Sequence, residues 1–484
     1  MIPERNLFSL RKTVKNILYL TDIHLDLLYD SDSPFIGEFI LRCKNRKNLE
    51  ESTTKPYDYG RYYCNSNENL LKRTLDDAKK KYNDVAAIIV SGDQIAHGLI
   101  NLDLNKTKDE NKILYKKTFS TIYHNLKQTY PYATIITAIG NNDFYQHYDF
   151  MDESSRLEQI SFLKSLYFEN FDPQYFNSDF NETISNAFYY SQYEPTLNIK
   201  FIVLNTVILS LKNQKKILSD EFAWKQFEFL ERELQLAKKV GQSVILVFHI
   251  PPFAYYVNNN VEFFYYEEYS QKMEKVIYDF KNIIINVFTG HIHTSKVGVR
   301  SRLVGNFLPQ KSIEQNSKFG FAPRSVEIDN FFSSVSFPSL TPIFSNNPGY
   351  SIIKFNPEFL KIEEIEIHHA DLKKTLNEDM TLSRNENISP ENLFSIIYSF
   401  KKDFGFFNFD NSDFYNFISN RINDAAILSK YTMFSIGARK SNDEKDRIIS
   451  LDIMKRAGLI DFENGYKIFK CVHKMFYSKE IDMC

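Results

Sequence analysis

Six short apolar runs recur along the chain, and five of them break off abruptly at aspartate, histidine, asparagine or glycine. "NILYLT" (Asn16–Thr21) runs into Asp22, and "VAAIIVS" (Val85–Ser91) into Gly92-Asp93. "ATIITAI" (Ala133–Ile139) runs into Gly140-Asn141, "VILVF" (Val244–Phe248) into His249, and "IIINVFT" (Ile283–Thr289) into Gly290-His291. "KFIVLNT" (Lys200–Thr206) is the sixth. Continuous β-branched runs of this length are strands buried on both faces. Helical patterns lie between them. Leu71, Leu75 and Ala78 share one face, with Ser66 or Asn67 available as a cap; Ala223, Phe227, Leu230, Leu234 and Ala237 recur at helical spacing and stop at Gly241. Strands alternating with helices predict a mainly parallel α/β core, and such sheets collect their polar site at the carboxyl ends of the strands.

After about residue 360 the pattern changes to amphipathic helical stretches without ligand-like clusters. The expected organisation is an N-terminal extension over residues 1–15, one α/β domain over 16–357, and a helical region over 358–484 packed on it. A net charge of −2 leaves no electrostatic footprint for nucleic acid. No apolar run approaches the ~18 residues of a membrane span.

The strand ends carry a chemically coherent set. "TDIHLD" supplies Asp22 and His24, "SGDQIAHG" supplies Asp93 and His97, "GNND" supplies Asn141, "VFHIPP" supplies His249, and "TGHIHTS" supplies His291 and His293. Carboxylate, imidazole and amide oxygen together suit hard or borderline divalent metals. In D-x-H and H-x-H pairs on extended backbone both side chains would point the same way, because the strand period is two. A single histidine at a strand end is usually a satisfied core or loop residue. Five ligand-bearing strand ends in one chain are not accounted for in that way.

The ordered series D-x-H, G-D-x-x-x-x-G, G-N-x-[DE], isolated H and G-H-x-H resembles the calcineurin-like metallophosphoesterases, from about residue 16 to about residue 300. The resemblance implies two β-sheets packed as a sandwich and flanked by helices, a four-layer αββα fold with the helical appendage behind it. It also implies two divalent metals, zinc first, with iron or manganese also acceptable to such ligands. Asp22, His24 and His293 would bind one, Asn141, His249 and His291 the other, and Asp93 would bridge them. Two such metals would lower the pKa of a water enough to supply hydroxide for attack on a phosphoester. A metal-free scaffold on the same fold is the remote alternative, and such scaffolds lose ligands that this chain keeps.

Within that family the chain is most similar to the acid sphingomyelinase-like phosphodiesterase and endopolyphosphatase branch. "TDIHLDLLY", "YDYGRYYCNSNENLL" (Tyr57–Leu71) and "SFPSLTPIFSNNPGYSIIKF" (Ser336–Phe355) carry this likeness. One position departs from the family pattern: Asn142 stands where a proton-donating histidine usually follows the metal-binding asparagine. Asn142 can donate a hydrogen bond to a phosphoryl oxygen but no proton to a leaving group. His97, four residues after Asp93, is the alternative acid. "GNNDxxxH", with His147, resembles the endopolyphosphatase pattern, whereas His291-x-His293 is nearer the sphingomyelinase-like side. The implied substrate is a small phosphodiester or, alternatively, a polyphosphate.

Cys43, Cys64, Cys471 and Cys484 form two local pairs without a C-x-x-C, which fits either short disulfides or unrelated thiols. The resemblance favours a Cys43–Cys64 bridge. Asn105, Asn181 and Asn387 head glycosylation sequons, a weak signal in so Asn-rich a chain. The N-terminus shows no secretory apolar core, and the first strand begins close enough to it that a leader upstream is an open expectation. The resemblance and the cysteine pairs suggest a secretory, lysosomal or vacuolar lumen.

Overall fold

The apolar runs form strands in the computed structural model, which describes residues 14–30, 43–44, 59–98, 108–149, 153–170, 173–257, 260–301, 331–372, 393–435 and 437. One six-stranded sheet contains β1 (Lys15–Leu20), β2 (Val85–Val90), β3 (Thr134–Thr137), β12 (Gly349–Asn356), β13 (Lys361–His369) and β14 (Ile396–Ser399), in the order β14-β13-β12-β1-β2-β3. The other contains β4 (Tyr190–Glu194), β5 (Ile199–Val203), β6 (Val244–Val247), β9 (Ile284–Thr289), β10 (Lys296–Ser301) and β11 (Phe331–Ser336), in the order β10-β11-β9-β6-β5-β4. A small hairpin, β7 (Tyr255–Val257) and β8 (Asn260–Glu262), stands apart. The pairs β1–β2, β2–β3, β5–β6, β6–β9 and β9–β11 are parallel, as the strand–helix alternation predicts. The first sheet is only half parallel, because β12, β13 and β14 add to it antiparallel from β1 outward, whereas in the second sheet only the edge strands β10 and β4 are antiparallel.

The two sheets meet face to face over one apolar core. Tyr19 of β1 packs edge-on to Phe288 of β9 at 5.9 Å. Tyr190 of β4 reaches across to β3, where its hydroxyl accepts from the Thr137 amide at 2.9 Å and donates to the Thr137 carbonyl at 3.0 Å. A buried tyrosine needs such a partner for its hydroxyl, and here the partner is the other sheet.

Helices α1 (Glu68–Lys81), α2 (Lys108–Thr129), α3 (Glu153–Asn170), α4 (Phe180–Ala187), α5 (Lys216–Val240) and α6 (Glu267–Asp279) lie between the strands, and α1 and α5 are the two that the sequence pattern places. Asn67 is the cap of α1, its side chain accepting from the Leu70 amide at 2.8 Å, and Gly241 ends α5 in the left-handed conformation.

The C-terminal region departs from the expected helical appendage at its start. The boundary at 357/358 falls between β12 and β13, which pair antiparallel, and β14 extends the same sheet. Ile362, Ile365 and Ile367 face the core from β13, so this segment completes the sandwich. Helices come next: α7 (Phe400–Phe404), α8 (Asn411–Ser419) and α9 (Ala425–Ser435). Phe400, Phe404, Phe406, Phe414, Phe417 and Phe434 are all buried there in a contiguous aromatic cluster. That cluster closes on the second sheet, where the Val297 amide donates to the Tyr431 hydroxyl at 2.8 Å. Asn181 is exposed on α4. The N-terminal extension up to residue 13, Asn105, Asn387, Cys471 and Cys484 lie outside the described residues.

The end of β13 carries an acid sensitivity. Burial, with Lys81, His369 and Lys354 nearby, pushes the His368 imidazole down to about 2, and burial pushes His369 down to about 4. His368 stacks on Tyr350 and lies 2.9 Å from the Tyr82 hydroxyl, which itself donates to Glu366. Both imidazoles stay neutral in the folded chain, while in the unfolded chain they take a proton near 6.5. The unfolded state therefore binds more protons below that point, and stability falls as pH drops from about 6.5 toward 4. Each histidine contributes a slope of about 1.4 kcal/mol per pH unit. Urea denaturation of His368→Phe between pH 6.5 and 5 is expected to be flatter than wild type by about that slope, because the stacked ring is kept and the titration removed. An unchanged slope would rule out this source.

Candidate metal centre

Loops at the carboxyl ends of β1, β2, β3, β6 and β9 bring the polar residues together. The conformation that does so is not the extended one expected for D-x-H and H-x-H. Asp22, His24, Asp93, His291 and His293 all have left-handed backbone, with φ of 46°, 43°, 52°, 72° and 57°. L-residues adopt this region at a cost of order 1–3 kcal/mol each, and it persists only where the surroundings over-determine it. Backbone bonds between the loops supply that constraint: Asp22 N to Gly92 O at 3.0 Å, His24 N to Asp93 O at 2.9 Å, and Gly290 N to His249 O at 2.9 Å. The pairs converge because the chain turns at them, not because a pleat alternates.

Close approach explains two of the glycines. A Cβ on Gly140 would land on the backbone nitrogen and Oδ1 of Asp93, and one on Gly290 would strike Thr21 Oγ1 and Asp22 Oδ2. The turn residues after β3 let the Gly140-Asn141 backbone pass against the loop that carries Asp93.

All seven residues expected as ligands meet in one place. Polar atoms of Asp22, His24, Asp93 and His293 lie within 4.8 Å of one another, and so do those of Asp93, His249 and His291. Asp93 belongs to both groups. Its Oδ2 is 3.4 Å from His24 Nε2 and 3.3 Å from His249 Nε2. Asp22 Oδ1 is 3.3 Å from His293 Nε2, and Asn141 Oδ1 is 3.1 Å from His249 Nε2. Apart from His291, which is partly exposed, these side chains are buried.

The hydrogen bonds behind the ligands set which atoms face inward. His24 Nδ1 lies 2.8 Å from the Ile95 carbonyl and His249 Nδ1 2.8 Å from the Ser91 carbonyl. A carbonyl only accepts, so each Nδ1 carries the hydrogen and each Nε2 turns its ligating side inward. Asn141 Nδ2 donates to His147 Nε2 at 2.8 Å, which directs Oδ1 inward. Asp22 is held by the His291 amide at 2.9 Å and the Thr21 hydroxyl at 2.7 Å. His24 Nε2 and His293 Nε2 face each other at 3.2 Å.

Acceptors aimed at one another in a buried space call for positive charge between them. The charges around these groups point the same way. Burial alone would raise the Asp22 carboxyl, but His293 and His249 outweigh it and hold it at about 2. Asp93 is likewise driven well below the usual carboxylate range by His249 and His24 against its burial. His249 is raised to about 9, since Asp93 and Asp22 outweigh its burial, whereas burial takes His24 down to about 4. Two buried carboxylates stay ionised, and a proton on His249 answers them. A divalent cation fits this donor set better than the proton does, because it satisfies several inward lone pairs at once.

His97 and Asn142 lie beside the seven. His97 stacks on His24 with centroids 3.9 Å apart, and the exposed ring of Phe344 meets it edge-on at 5.8 Å. Burial, with His24 and His293 adjacent, pushes the His97 imidazole well below its ordinary value. Asn142 donates to Asp93 twice, from its backbone to Oδ1 and from Nδ2 to Oδ2, both at 2.7 Å. Its side-chain amide and backbone N–H thus orient the Asp93 carboxylate.

Sequence reasoning assigned no role to three further groups. Asp143 accepts from the amides of Gln94, Ile95 and Gly140, at 2.7, 3.1 and 2.9 Å, and so ties the Asp93 loop to the Asn141 loop. The Tyr148 hydroxyl lies 3.2 Å from His291 Nε2. Asn65 meets His97 from the segment after Cys64. Asp143 and Asn65 lie within the quoted motifs and Tyr148 does not, but the contacts of Asn65 and Tyr148 are set by tertiary packing. The Cys43–Cys64 disulfide is formed, as the resemblance implied.

The chain is similar in sequence to known proteins. The family model described as calcineurin-like phosphoesterase matches residues 15–295. A sphingomyelinase phosphodiesterase D from Dictyostelium discoideum is 24% identical over 455 residues, covering 90% of this chain and 91% of its own. A cyclic GMP-AMP phosphodiesterase from Bos taurus is 22% identical over 368 residues, covering 73% and 70%. An endopolyphosphatase from Schizosaccharomyces pombe is 24% identical over 295 residues, covering 58% of this chain and 47% of that protein. Among the described residues no helix is long and apolar enough to cross a membrane.

Proposed function

The chain belongs to the calcineurin-like phosphoesterase family and is a metal-dependent phosphoester hydrolase; from that premise we propose that it hydrolyses phosphodiesters at a two-metal centre held by the seven strand-end residues. Asp22, His24 and His293 would hold one ion, and Asn141, His249 and His291 the other, with Asp93 between them. The observation that carries this reading is the membership of Asp93 in both ligand groups. Nitrogen and oxygen ligands without thiolate suit zinc, iron or manganese, and zinc is the first choice. When bound, two such ions supply Lewis-acid polarisation of the phosphoryl oxygens and an acidic water.

The chain's own residues do the rest. Asn142 steadies Asp93 and offers its free N–H to an equatorial oxygen. His97 lies against His24, where it can give a proton to the departing oxygen. Burial and the adjacent imidazoles hold the free ring neutral, so donation requires the ring first to take up a proton from solvent as an anionic phosphate binds beside it, since a nearby negative charge favours the imidazolium. Phosphodiesters are favoured by the two phosphodiesterase relatives that match most of the chain. A second reading, phosphoanhydride cleavage, is favoured by the His147–Asn141 contact within G-N-N-D-x-x-x-H and by the endopolyphosphatase relative.

A substrate panel tests both. Purified protein is assayed on bis(nitrophenyl) phosphate, sphingomyelin, ATP and polyphosphate, before and after chelation and with each metal restored. The expected result is chelator-sensitive hydrolysis of diesters that exceeds polyphosphate cleavage. Polyphosphate as the best substrate would select the second reading. Chelator-resistant activity, or fewer than one metal per chain in protein never exposed to chelator, would overturn the metal centre.

A further inference from the structure

Five of the six apolar runs end in residues of the candidate metal centre. The sixth, which forms β5, leads instead into a loop over 207–215 that brings no ligand to it. Buried polar side chains nevertheless fix the course of this loop. Asn205 accepts from the Val207 amide at 3.0 Å and donates to the Ala187 carbonyl at 2.9 Å. Asn213 accepts from the Lys215 amide at 3.1 Å and donates to the Ser219 hydroxyl at 2.8 Å. Backbone bonds then tie the loop to the segment before α6, Leu211 N to Phe264 O at 2.8 Å and Tyr266 N to Leu209 O at 3.1 Å. Buried amides cost free energy unless paired, and pairing them along one short loop commits it to a single course.

This frame carries Lys212 to the rim of the centre. The ammonium lies 5.7 Å from the centroid of the Tyr148 ring, whose hydroxyl is 3.2 Å from His291 Nε2. One aromatic ring thus separates Lys212 from the centre. Phe264, whose carbonyl holds Leu211, also meets the His291 ring edge-on at 5.1 Å. Lys212 pairs with Glu262 of β8 at 4.0 Å, with side chains 59% and 43% exposed. A pair so long and so solvated contributes little. Lys215, by contrast, is engaged by Asp149 at 2.9 Å. Lysine is a point charge on a flexible stem, so Lys212 can turn to a phosphate oxygen at small cost.

We propose that Lys212 forms an anion subsite on the His291 side of the centre, which takes a phosphate adjoining the one under attack. A diester phosphate carries one negative charge, which the centre itself answers. A second phosphate brings further charge that needs its own partner, whereas an alkyl or nitrophenyl arm gains nothing there. The substrate class favoured is therefore phosphoesters and phosphoanhydrides that carry a second phosphate. The inference rests on the two-metal reading for the place of the attacked phosphate.

The experiment compares the metal-loaded protein with Lys212→Ala, Lys212→Arg and Glu262→Gln. Calorimetry measures binding of inorganic phosphate and of inorganic pyrophosphate, and kcat/KM is measured for bis(nitrophenyl) phosphate, ATP and tripolyphosphate. Pyrophosphate is expected to bind the wild type more tightly than phosphate, and Lys212→Ala to reduce that preference ~10-fold, the size of one charge-assisted hydrogen bond. ATP and tripolyphosphate should lose a similar factor relative to bis(nitrophenyl) phosphate, carried by KM and not by kcat. Lys212→Arg should restore the preference. Glu262→Gln should strengthen it, because a competing carboxylate is gone. Stripping of metal by pyrophosphate would be common to all variants and is read from metal content. An unchanged pyrophosphate preference in Lys212→Ala overturns the proposal. So does a loss on ATP that tripolyphosphate does not share, since Lys212 would then be reading the nucleoside. If no phosphoester is hydrolysed, the two-metal reading fails instead, and the pyrophosphate preference still decides whether the subsite exists.

Discussion

Replacing Asp93 by alanine is expected to lower kcat/KM more than any other single change in the centre, on the order of 10³-fold or beyond, which corresponds to roughly 4 kcal/mol of transition-state stabilisation. The geometry singles it out. Asp93 Oδ2 is within 3.4 Å of both His24 and His249, the two imidazoles whose tautomers are fixed by backbone carbonyls. It is the carboxylate common to both ligand groups, whereas Asp22 belongs to one. Loss of Asp22, His24 or His293 should weaken one ion, and loss of Asn141, His249 or His291 the other. Loss of Asp93 should weaken both and also free the Asn142 amide that now donates to it. Metal content and kcat/KM measured across alanine changes at all seven positions decide the matter. Asp93→Asn separates charge from shape, since the carboxamide keeps the volume and drops the negative charge. Retention of both metals and of activity in Asp93→Ala would show that another group bridges the ions.

Much of this centre was legible because it depends on strand ends, and strand ends are written locally. A β-branched run followed by Asp, His or Gly-Asn states where a buried strand stops and which side chain follows. That is why the order of ligands and the α/β class could be read before the sheets were seen. The conformation of the ligands was not legible in the same way. Left-handed backbone at Asp22, His24, Asp93, His291 and His293 is imposed by bonds between loops far apart in sequence, such as His24 N to Asp93 O. No local pattern specifies those partners. The strand β13 was missed for a different reason. "KIEEIEIHH" alternates loosely, but it lies beyond the ligand-bearing motifs, and its place is set by pairing with β12, which pairs in turn with β1. Asn65 and Lys44 read as ordinary polar residues beside cysteines. Their contacts with His97 come from tertiary packing that no local pattern specifies.

His97→Ala is expected to slow hydrolysis of esters with alkyl leaving groups by ~10²-fold or more, within the range for loss of a proton donor, while nitrophenyl esters lose far less. A nitrophenolate departs as a stable anion and needs no proton, whereas an alkoxide does. The structural motive is the asparagine at position 142, which cannot supply a proton and whose amide is already committed in part to Asp93. His97 lies against His24 and within reach of His293, close enough that these three histidines also form a group with nitrogens within 4.8 Å. A ligand role for His97 therefore competes with the donor role, and the two predict different outcomes. A ligand's removal would release metal and slow both ester types together. A donor's removal would leave metal content at the wild-type level and separate the two esters. Equal losses with metal retained would instead mean that His97 holds the phosphate in place without giving it a proton.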